Sequence, residues 1–341
     1  MTTTAAYARA LVKRYGQNPI SYLTLEDDKE LYFGEKVPGV VAYGLVGKTV
    51  VVCGDPIAAP QNFVALLTEF QAFCASFSDQ CAFLGTTDMF LEQYTDLGYR
   101  HLKFGEEARF HLMAYQLAGG KMAKMRAQVN HANKAGLTTH EYRPHAGKDP
   151  VLEEQFHRVS EQWLEGKKSG QLGFTLGSVG LDNPLDRRYF YAKDPVGAVV
   201  AFHVFTPFAG MNGYMADITR RTPDAPGGVT QKINFDAFMT FREEGVEWGS
   251  LGLAPLANVL ELHEKNCVDA KFLHLIYETC NRFYGFKSLH QTKEKTSPTH
   301  WVPGYLVFST KHITPSMAYA VIKIQNPGGV KDFLLEQLHR T

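Results

Sequence analysis

Motifs that name common enzyme classes are missing from this sequence. There is no Gly-x-Ser-x-Gly, no His-Glu-x-x-His, no Gly-x-x-x-x-Gly-Lys-Ser/Thr and no Gly-x-Gly-x-x-Gly. Serine hydrolase, zinc protease, P-loop and dinucleotide-binding readings therefore lose their main support. Cysteine is scarce as well. Cys53, Cys74, Cys81, Cys267 and Cys280 are odd in number and show no Cys-x-x-Cys or Cys-x-x-His spacing, which argues against a disulfide framework and against structural zinc. Cys53 and Cys74 sit in apolar runs and read as core fillers. No apolar run reaches the roughly 18 residues of a membrane span. The best candidate, Val37–Cys53, is interrupted by Lys48 and by Pro38, Gly39, Gly44 and Gly47, and reads as two strands joined at Val46-Gly47-Lys48. Net charge is also absent, with 35 basic and 35 acidic residues. The opening Met1-Thr2-Thr3-Thr4 has neither the charged nor the apolar region of a signal peptide. A cytoplasmic protein, or the soluble part of a longer one, is expected.

What is present fits a packed chain. Of the 341 residues, 45% are hydrophobic and 21% charged, enough for two ordinary domains. Helical spacing predicts helices over Ala5–Tyr15, over the segment opened by Pro60, after Thr87 or Asp88, and over Lys121–Ala135 with Gly136 as its stop. Asp149-Pro150 opens another helix, and Val229–Glu244, Ala270–Tyr284 and Val330–His339 follow. Strands are predicted at Ser21–Leu25, Val40–Leu45, Thr49–Cys53, Ala82–Leu84, Tyr99–Phe104 and Ala108–Met113. Further strands are predicted at Arg188–Ala192, Ala198–Phe205, Tyr214–Thr219, Trp248–Leu251, Tyr305–Phe308 and Tyr319–Ile324. Thr138–Lys148 reads as a linker. The order describes an α/β (α+β) chain of two similar halves, 1–145 and 146–341, each a mixed sheet flanked by helices.

Four constellations carry chemistry. Asp217 and Arg220 stand three apart at the end of an apolar run, followed by Pro226-Gly227-Gly228. The guanidinium fork suits a phosphate or carboxylate, and a structural ion pair is the plain alternative. Lys293 and Lys295 fall on one side of an extended segment, where they would bind a phosphodiester or an oxyanion, or simply guard an edge strand. Trp301 and Tyr305 form an aromatic wall or pack in a core. Lys121, Lys124, Arg126 and Lys134 lie in a stretch from 121 to 148 with one acid, Glu141. This basic face, with Lys167 further on, suits a polyanion or is a solvated helix surface.

Taken in order, these pieces resemble the soluble catalytic domain of the aminoacyl-phosphatidylglycerol synthases (lysyl- or alanyl-phosphatidylglycerol synthase, also called multiple peptide resistance factor). The resemblance rests on Val50–Pro56 ending in Gly-Asp-Pro, Gly105-Glu106-Glu107-Ala108, the basic helix, Ser160–Leu164, Gly173–Gly177, Asp217–Arg220, Ala225–Gly228, Leu251–Leu256, Phe286–Leu289, and the single residues Lys293, Lys295, Pro298, Trp301, Pro303 and Tyr305. It implies two tandem acetyltransferase-like (GNAT-like) domains. It also implies transfer of lysine or alanine from aminoacyl-tRNA to the hydroxyl of an anionic phospholipid, phosphatidylglycerol, at the inner membrane face, with no cofactor and no metal. By position it implies catalytic roles for Asp217, Arg220, Lys293, Lys295 and Glu278. Gly227, Gly228, Trp301 and Tyr305 would bind substrate, and Lys121, Lys124, Arg126, Lys134 and Lys167 would bind tRNA. The chain departs from the family pattern at Gly304, usually Arg, at Thr296, usually aromatic, and at Thr230-Gln231-Lys232, usually more apolar. These departures leave the acceptor open. An acyl-CoA-dependent N-acyltransferase and a non-catalytic tRNA- or lipid-binding module are the alternative readings.

Overall fold

The structure is a computed structural model that describes residues 3–166, 173–255 and 286–326. Its described strands form one sheet. In chain order they are β1 (Glu30–Phe33), β2 (Gly39–Val46), β3 (Thr49–Cys53), β4 (Ile57–Ala58), β5 (Gln80–Thr86), β6 (Arg100–His111), β7 (Thr138–Tyr142), β8 (Arg188–Lys193), β9 (Val199–Phe208), β10 (Gly213–Arg221), β11 (Trp248–Pro255) and β12 (His300–Phe308). The spatial order is β1-β2-β3-β5-β12-β6-β11-β10-β9-β8-β7, with β4 on β2. Pairing is antiparallel except for β3 with β5 and β10 with β11. The late strand β12 lies between β5 and β6, so the sheet runs unbroken from the first half into the second.

Helices cover both faces because the strands are apolar on both. Val50 and Val52 of β3 join Phe63, Leu66, Leu67 and Phe70 of α2 (Phe63–Ala75). Val51 and Cys53 point the other way, into a cluster with Met317, Val321 and Ile322 of α8 (Pro315–Gln325). That period-2 alternation between two buried faces is what a covered strand requires. In the second half, α4 (Ala123–Lys134) and α6 (Val229–Glu243) bury Met125, Val129, Ile233 and Phe241 against Phe190 and Phe205. On the opposite face, α5 (Pro150–Glu165) sets Phe156 flat on Phe202, with ring centres 4.7 Å apart. Each such ring removed from water contributes about 1.5–3 kcal/mol.

Several expected elements are confirmed with their caps. Asp149 accepts from Leu152 N–H at 3.0 Å and opens α5, with Pro150 in the first turn. Others differ. Ser21–Leu25 is not a strand but part of a 3-10 helix, Pro19–Leu25, whose start is fixed by Pro19 and by Asn18 accepting from Ile20 N–H. Tyr319–Ile324 is helical, within α8. Its Thr314 cap and Pro315 are the start signals, and the short apolar run that follows fits either period. The expected linker at 138–148 begins with edge strand β7. The two strands expected at 99–113 are one strand, β6, continuing through Gly105. The helix after Asp88 is α3 (Leu91–Asp96), which has no side-chain cap. Lys293 belongs to α7 (Phe286–Glu294), not to an extended segment. The expected helices at 270–284 and 330–339 fall outside the described residues.

Candidate active site

Strands β10 and β11 run side by side for only three pairs, Gly213–Met215 against Trp248–Ser250. Beyond them both strands become irregular. On β10, Ala216 faces Phe205 and Ile218 faces Val204, leaving Asp217 as an inserted residue. On β11 the register against β6 shifts between Ser250 and Leu253. A one-residue insertion reverses side-chain alternation. Accordingly Ala216 faces the α4–α6 core while Ile218 faces the α5 core. Where the strands part there is a cavity of about 330 Å³. Its walls come from β10, β11, α5, α6, α7 and the segments around Asn18 and Thr87.

The bulge delivers Asp217 to this cavity. Its Oδ1 accepts from Gly177 N–H at 3.1 Å, and its Oδ2 has no hydrogen-bond partner among the described residues. Burial pushes its pKa up to about 6; the Gly177 bond opposes this and the Glu26 charge adds to it. Three residues on, the Arg220 guanidinium lies 3.9 Å above the ring of Trp163, which α5 contributes, and its Nη1 donates to Thr219 O at 3.2 Å. The flat cation is thereby held by an aromatic face while remaining on the cavity wall.

Lys293 closes the opposite side. Its Nζ donates to Gly252 O at 2.9 Å and Leu253 O at 2.8 Å. Gly252 has φ +73°, a left-handed geometry that suits a residue without Cβ where β11 breaks register. Burial lowers the Lys293 pKa to about 7, with Glu107 pulling it back up. Glu107, also on the wall, is held in a fork by Arg109 at 2.7 and 3.0 Å. A further polar set closes another side. Asn18 Nδ2 donates to Asp55 Oδ2 at 2.9 Å and to Gly85 O at 2.8 Å, and Thr87 donates its N–H and its hydroxyl to the same Asp55 oxygen. Burial raises Asp55 to about 6.

Of the expected site residues, Asp217, Arg220 and Lys293 share the cavity. Lys295 lies just past α7 and is exposed. Two residues along a helix are about 200° apart, so once the segment is helical the two lysines cannot share a side. Trp301 stacks on His290 at 4.3 Å, Tyr305 meets His101 edge-on at 5.7 Å, and neither lines the cavity. Gly228, at φ +83°, lets α6 start against α4. A Cβ there would fall 2.1 Å from Gln128 O, and one at Gly227 would meet the His131 ring at 3.4 Å. Lys121, Lys124 and Lys134 are exposed, whereas Arg126 is turned inward, donating to Leu117 O at 2.9 Å and Gly119 O at 2.6 Å. Glu278 and Lys167 lie outside the described residues. Sequence reasoning did not single out Glu107–Arg109 or Asn18–Asp55–Thr87 as site groups. The sequence signals were the Glu-Glu of Gly105–Ala108 and the Gly-Asp-Pro ending of β3. Among the described residues, no group of three or more His, Cys, Asp or Glu is placed to hold a metal, and no helix is long and apolar enough to cross a membrane.

Comparison with known proteins gives these arrangements a context. The family model for the C-terminal region of phosphatidylglycerol lysyltransferase matches residues 9–308. The phosphatidylglycerol lysyltransferase of Bacillus subtilis strain 168 is 31% identical over 301 residues, covering 88% of this chain and 34% of the relative. That of Staphylococcus haemolyticus is 26% identical over 316 residues, covering 93% and 36%. The chain thus spans about a third of the length of the curated relatives it matches. Among solved structures, L-PGS from Bacillus licheniformis aligns with a TM-score of 0.81 at 26% identity, over 94% of this chain and 96% of that one. The C-terminal domain of a putative lysylphosphatidylglycerol synthetase from Agrobacterium fabrum aligns with a TM-score of 0.79 at 25% identity, over 95% and 97%.

Proposed function

The chain belongs to the phosphatidylglycerol lysyltransferase C-terminal family, and from that membership and the cavity we propose that it moves an aminoacyl group from aminoacyl-tRNA to the hydroxyl of a membrane lipid, with phosphatidylglycerol as the first acceptor to test. One observation carries the reading. Asp217, Arg220 and Lys293, at 7%, 5% and 7% exposure, are charged groups gathered on one cavity of substrate size. Burying such groups costs several kcal/mol, and sites retain them where chemistry needs them.

The chemistry is ester exchange. The lipid hydroxyl oxygen attacks the aminoacyl carbonyl carbon, a new C–O bond forms, the bond to the tRNA ribose oxygen breaks, and the hydroxyl proton ends on that leaving oxygen. Because the donor ester is already activated, the protein's tasks are to position the reactants and exclude water. Ionised Asp217 orients the α-ammonium of the aminoacyl group or accepts the hydroxyl proton. Arg220, fixed on Trp163, holds an anionic oxygen. Lys293 spends two N–H groups on β11 carbonyls and keeps one for the developing oxyanion, a contribution of about 3 kcal/mol for a well-placed donor. That role moves here from Lys295, which is exposed. The basic surface around α4, with Lys121, Lys124 and Lys134 outward, is the tRNA footprint, and the protein works at the cytoplasmic membrane surface.

The test is transfer of radiolabelled lysine or alanine from aminoacyl-tRNA into extracted lipid by the wild type and by Asp217→Ala, Arg220→Ala and Lys293→Ala. Losses of at least 100-fold are expected. Full activity in all three variants removes this site.

A further inference from the structure

The opening of α6 contains polar groups that the chemistry above leaves unused. Val229 N–H bonds Pro226 O and Lys232 N–H bonds Gly228 O, at 3.3 and 2.8 Å. The amides of Thr230 and Gln231 between them have no protein acceptor among the described residues, and Gly228 supplies no side-chain cap. Thr230, Gln231 and Asn234 all line the cavity. Gln231 and Asn234 are only 9% and 3% exposed, yet the Gln231 side-chain amide and Asn234 Nδ2 have no protein partner among the described residues. Both residues are buried but line the cavity, so amide groups without a protein partner open onto it and are available to whatever enters it.

The orientation of Asn234 is set from behind. His203, fully buried on β9, places Nδ1 2.8 Å from Asn234 Oδ1. Burial lowers its pKa to about 4, so the ring is neutral and carries one proton. Its Nε2 has no partner among the described residues. A buried bare acceptor costs less than a buried orphan N–H, so the proton sits on Nδ1 and is donated to Asn234 Oδ1. The Asn234 NH₂ is then turned away from the histidine, toward the cavity.

We propose that the first two turns of α6 form a phosphodiester-binding subsite on the cavity wall, where Asn234 Nδ2, oriented by His203, and the free amides of Thr230 and Gln231 donate to the non-bridging oxygens. These residues share one cavity wall at the positive end of a 15-residue helix, and the cavity also holds Arg220 and Lys293. Among the described residues the acids on the same cavity are Asp217 and Glu107, and Arg109 neutralises Glu107. The subsite rests on the transferase reading for the source of its ligand. That source is either the headgroup of the acceptor lipid or the 3′ end of the donor tRNA.

Binding measured without turnover tests it. The probes are glycerophosphoglycerol, which is the headgroup without chains, and the trinucleotide CCA. They are titrated separately by NMR into wild type, Gln231→Glu and Asn234→Asp. One probe is expected to bind wild type, with Kd raised at least tenfold in both variants. Gln231→Glu places a carboxylate in the first turn, where the helix end offsets part of its burial cost, so Tm should fall only modestly while affinity falls at least tenfold. His203→Leu should raise the same Kd, and His203→Gln, which keeps a donor for Asn234, should recover part of it. Failure of both probes to bind at millimolar concentration, or an unchanged Kd in both variants, overturns the subsite. A chain that binds a probe but aminoacylates no lipid sinks the transferase reading and leaves the subsite standing. A chain that aminoacylates lipid with unchanged KM values for lipid and tRNA in both variants sinks the subsite alone.

Discussion

Replacing Asp217 with Asn should make the protein more stable at neutral pH while removing its activity. The carboxyl is buried and raised to about 6 from an ordinary 3.8. At about 1.36 kcal/mol per pH unit, keeping Asp217 ionised at pH 7.5 costs the native state about 3 kcal/mol relative to a solvated carboxylate. Asparagine is nearly isosteric and its Oδ1 can keep the Gly177 N–H bond. Its NH₂ must be buried where Oδ2 stood, at about 1 kcal/mol, so the net gain is about 2 kcal/mol. Unfolding entropy near 2.1 cal/mol/K per residue turns that into a Tm increase of about 3 °C for a chain of this length. The sign of the pH dependence follows. Between about pH 3.8 and 6 the native state holds a proton that the unfolded chain has lost, so wild-type stability falls as pH rises through that window and then levels. Asparagine has no such proton. The gain over wild type should be full at pH 7.5, vanish near about pH 4.5 and reverse below it, where only the cost of the buried NH₂ remains. Asp55 is raised in the same direction, but it is present in both proteins and cancels in the difference. Calorimetric Tm values from pH 4 to 8 for both proteins, with lipid-transfer assays alongside, make the test. A variant less stable at pH 7.5, or a difference that does not change with pH, would refute the reasoning and make Asp217 an ordinary structural carboxylate. A stabilised but inactive variant is the mark of a residue kept for function at a cost to the fold.

Two further outcomes follow from the same geometry. Gly177 sits where a Cβ would lie 2.2 Å from Asp217 Oδ2 and 2.8 Å from Glu26 Oε1, so Gly177→Ala must displace one carboxylate. A loss of about 2–3 kcal/mol in urea unfolding, with transfer activity down at least tenfold, is expected, and wild-type values for both would contradict the packing. Lys293 at about 7 and Asp217 at about 6 predict a narrow bell in kcat/KM, rising as Asp217 ionises and falling as Lys293 loses its proton. Lys293→Arg, which stays protonated, should remove the alkaline limb whatever its absolute rate, and an unchanged limb assigns it to another group.

Legibility in the sequence followed the range of the interaction. Caps and helix starts act within a few residues, so Asp149-Pro150 and the stop at Gly136 could be read directly. Asp217, Arg220 and Lys293 were legible as charges beside apolar runs, but not their meeting, because β10, β11 and α7 come together only when the sheet closes and β12 settles between β5 and β6. The reading of 291–295 as extended, with Lys293 and Lys295 on one side, failed for one reason. Residues 291–295 fit period 2 as well as period 3.6, and the tertiary contact of Lys293 Nζ with two β11 carbonyls goes with the helical choice. The bulge at Asp217 left no trace in composition, yet it lets Ala216 and Ile218 face opposite cores and brings a carboxylate to the gap between parallel strands. The His203–Asn234 pair spans 31 residues and joins two segments that each read as ordinary amphipathic structure. A polar residue on an apolar face carries no label saying which partner it meets. Such places, where the local pattern is broken and a buried partner repairs it, are where a sequence reading should look for a site, because burial there is costly unless a ligand or a reaction uses the group.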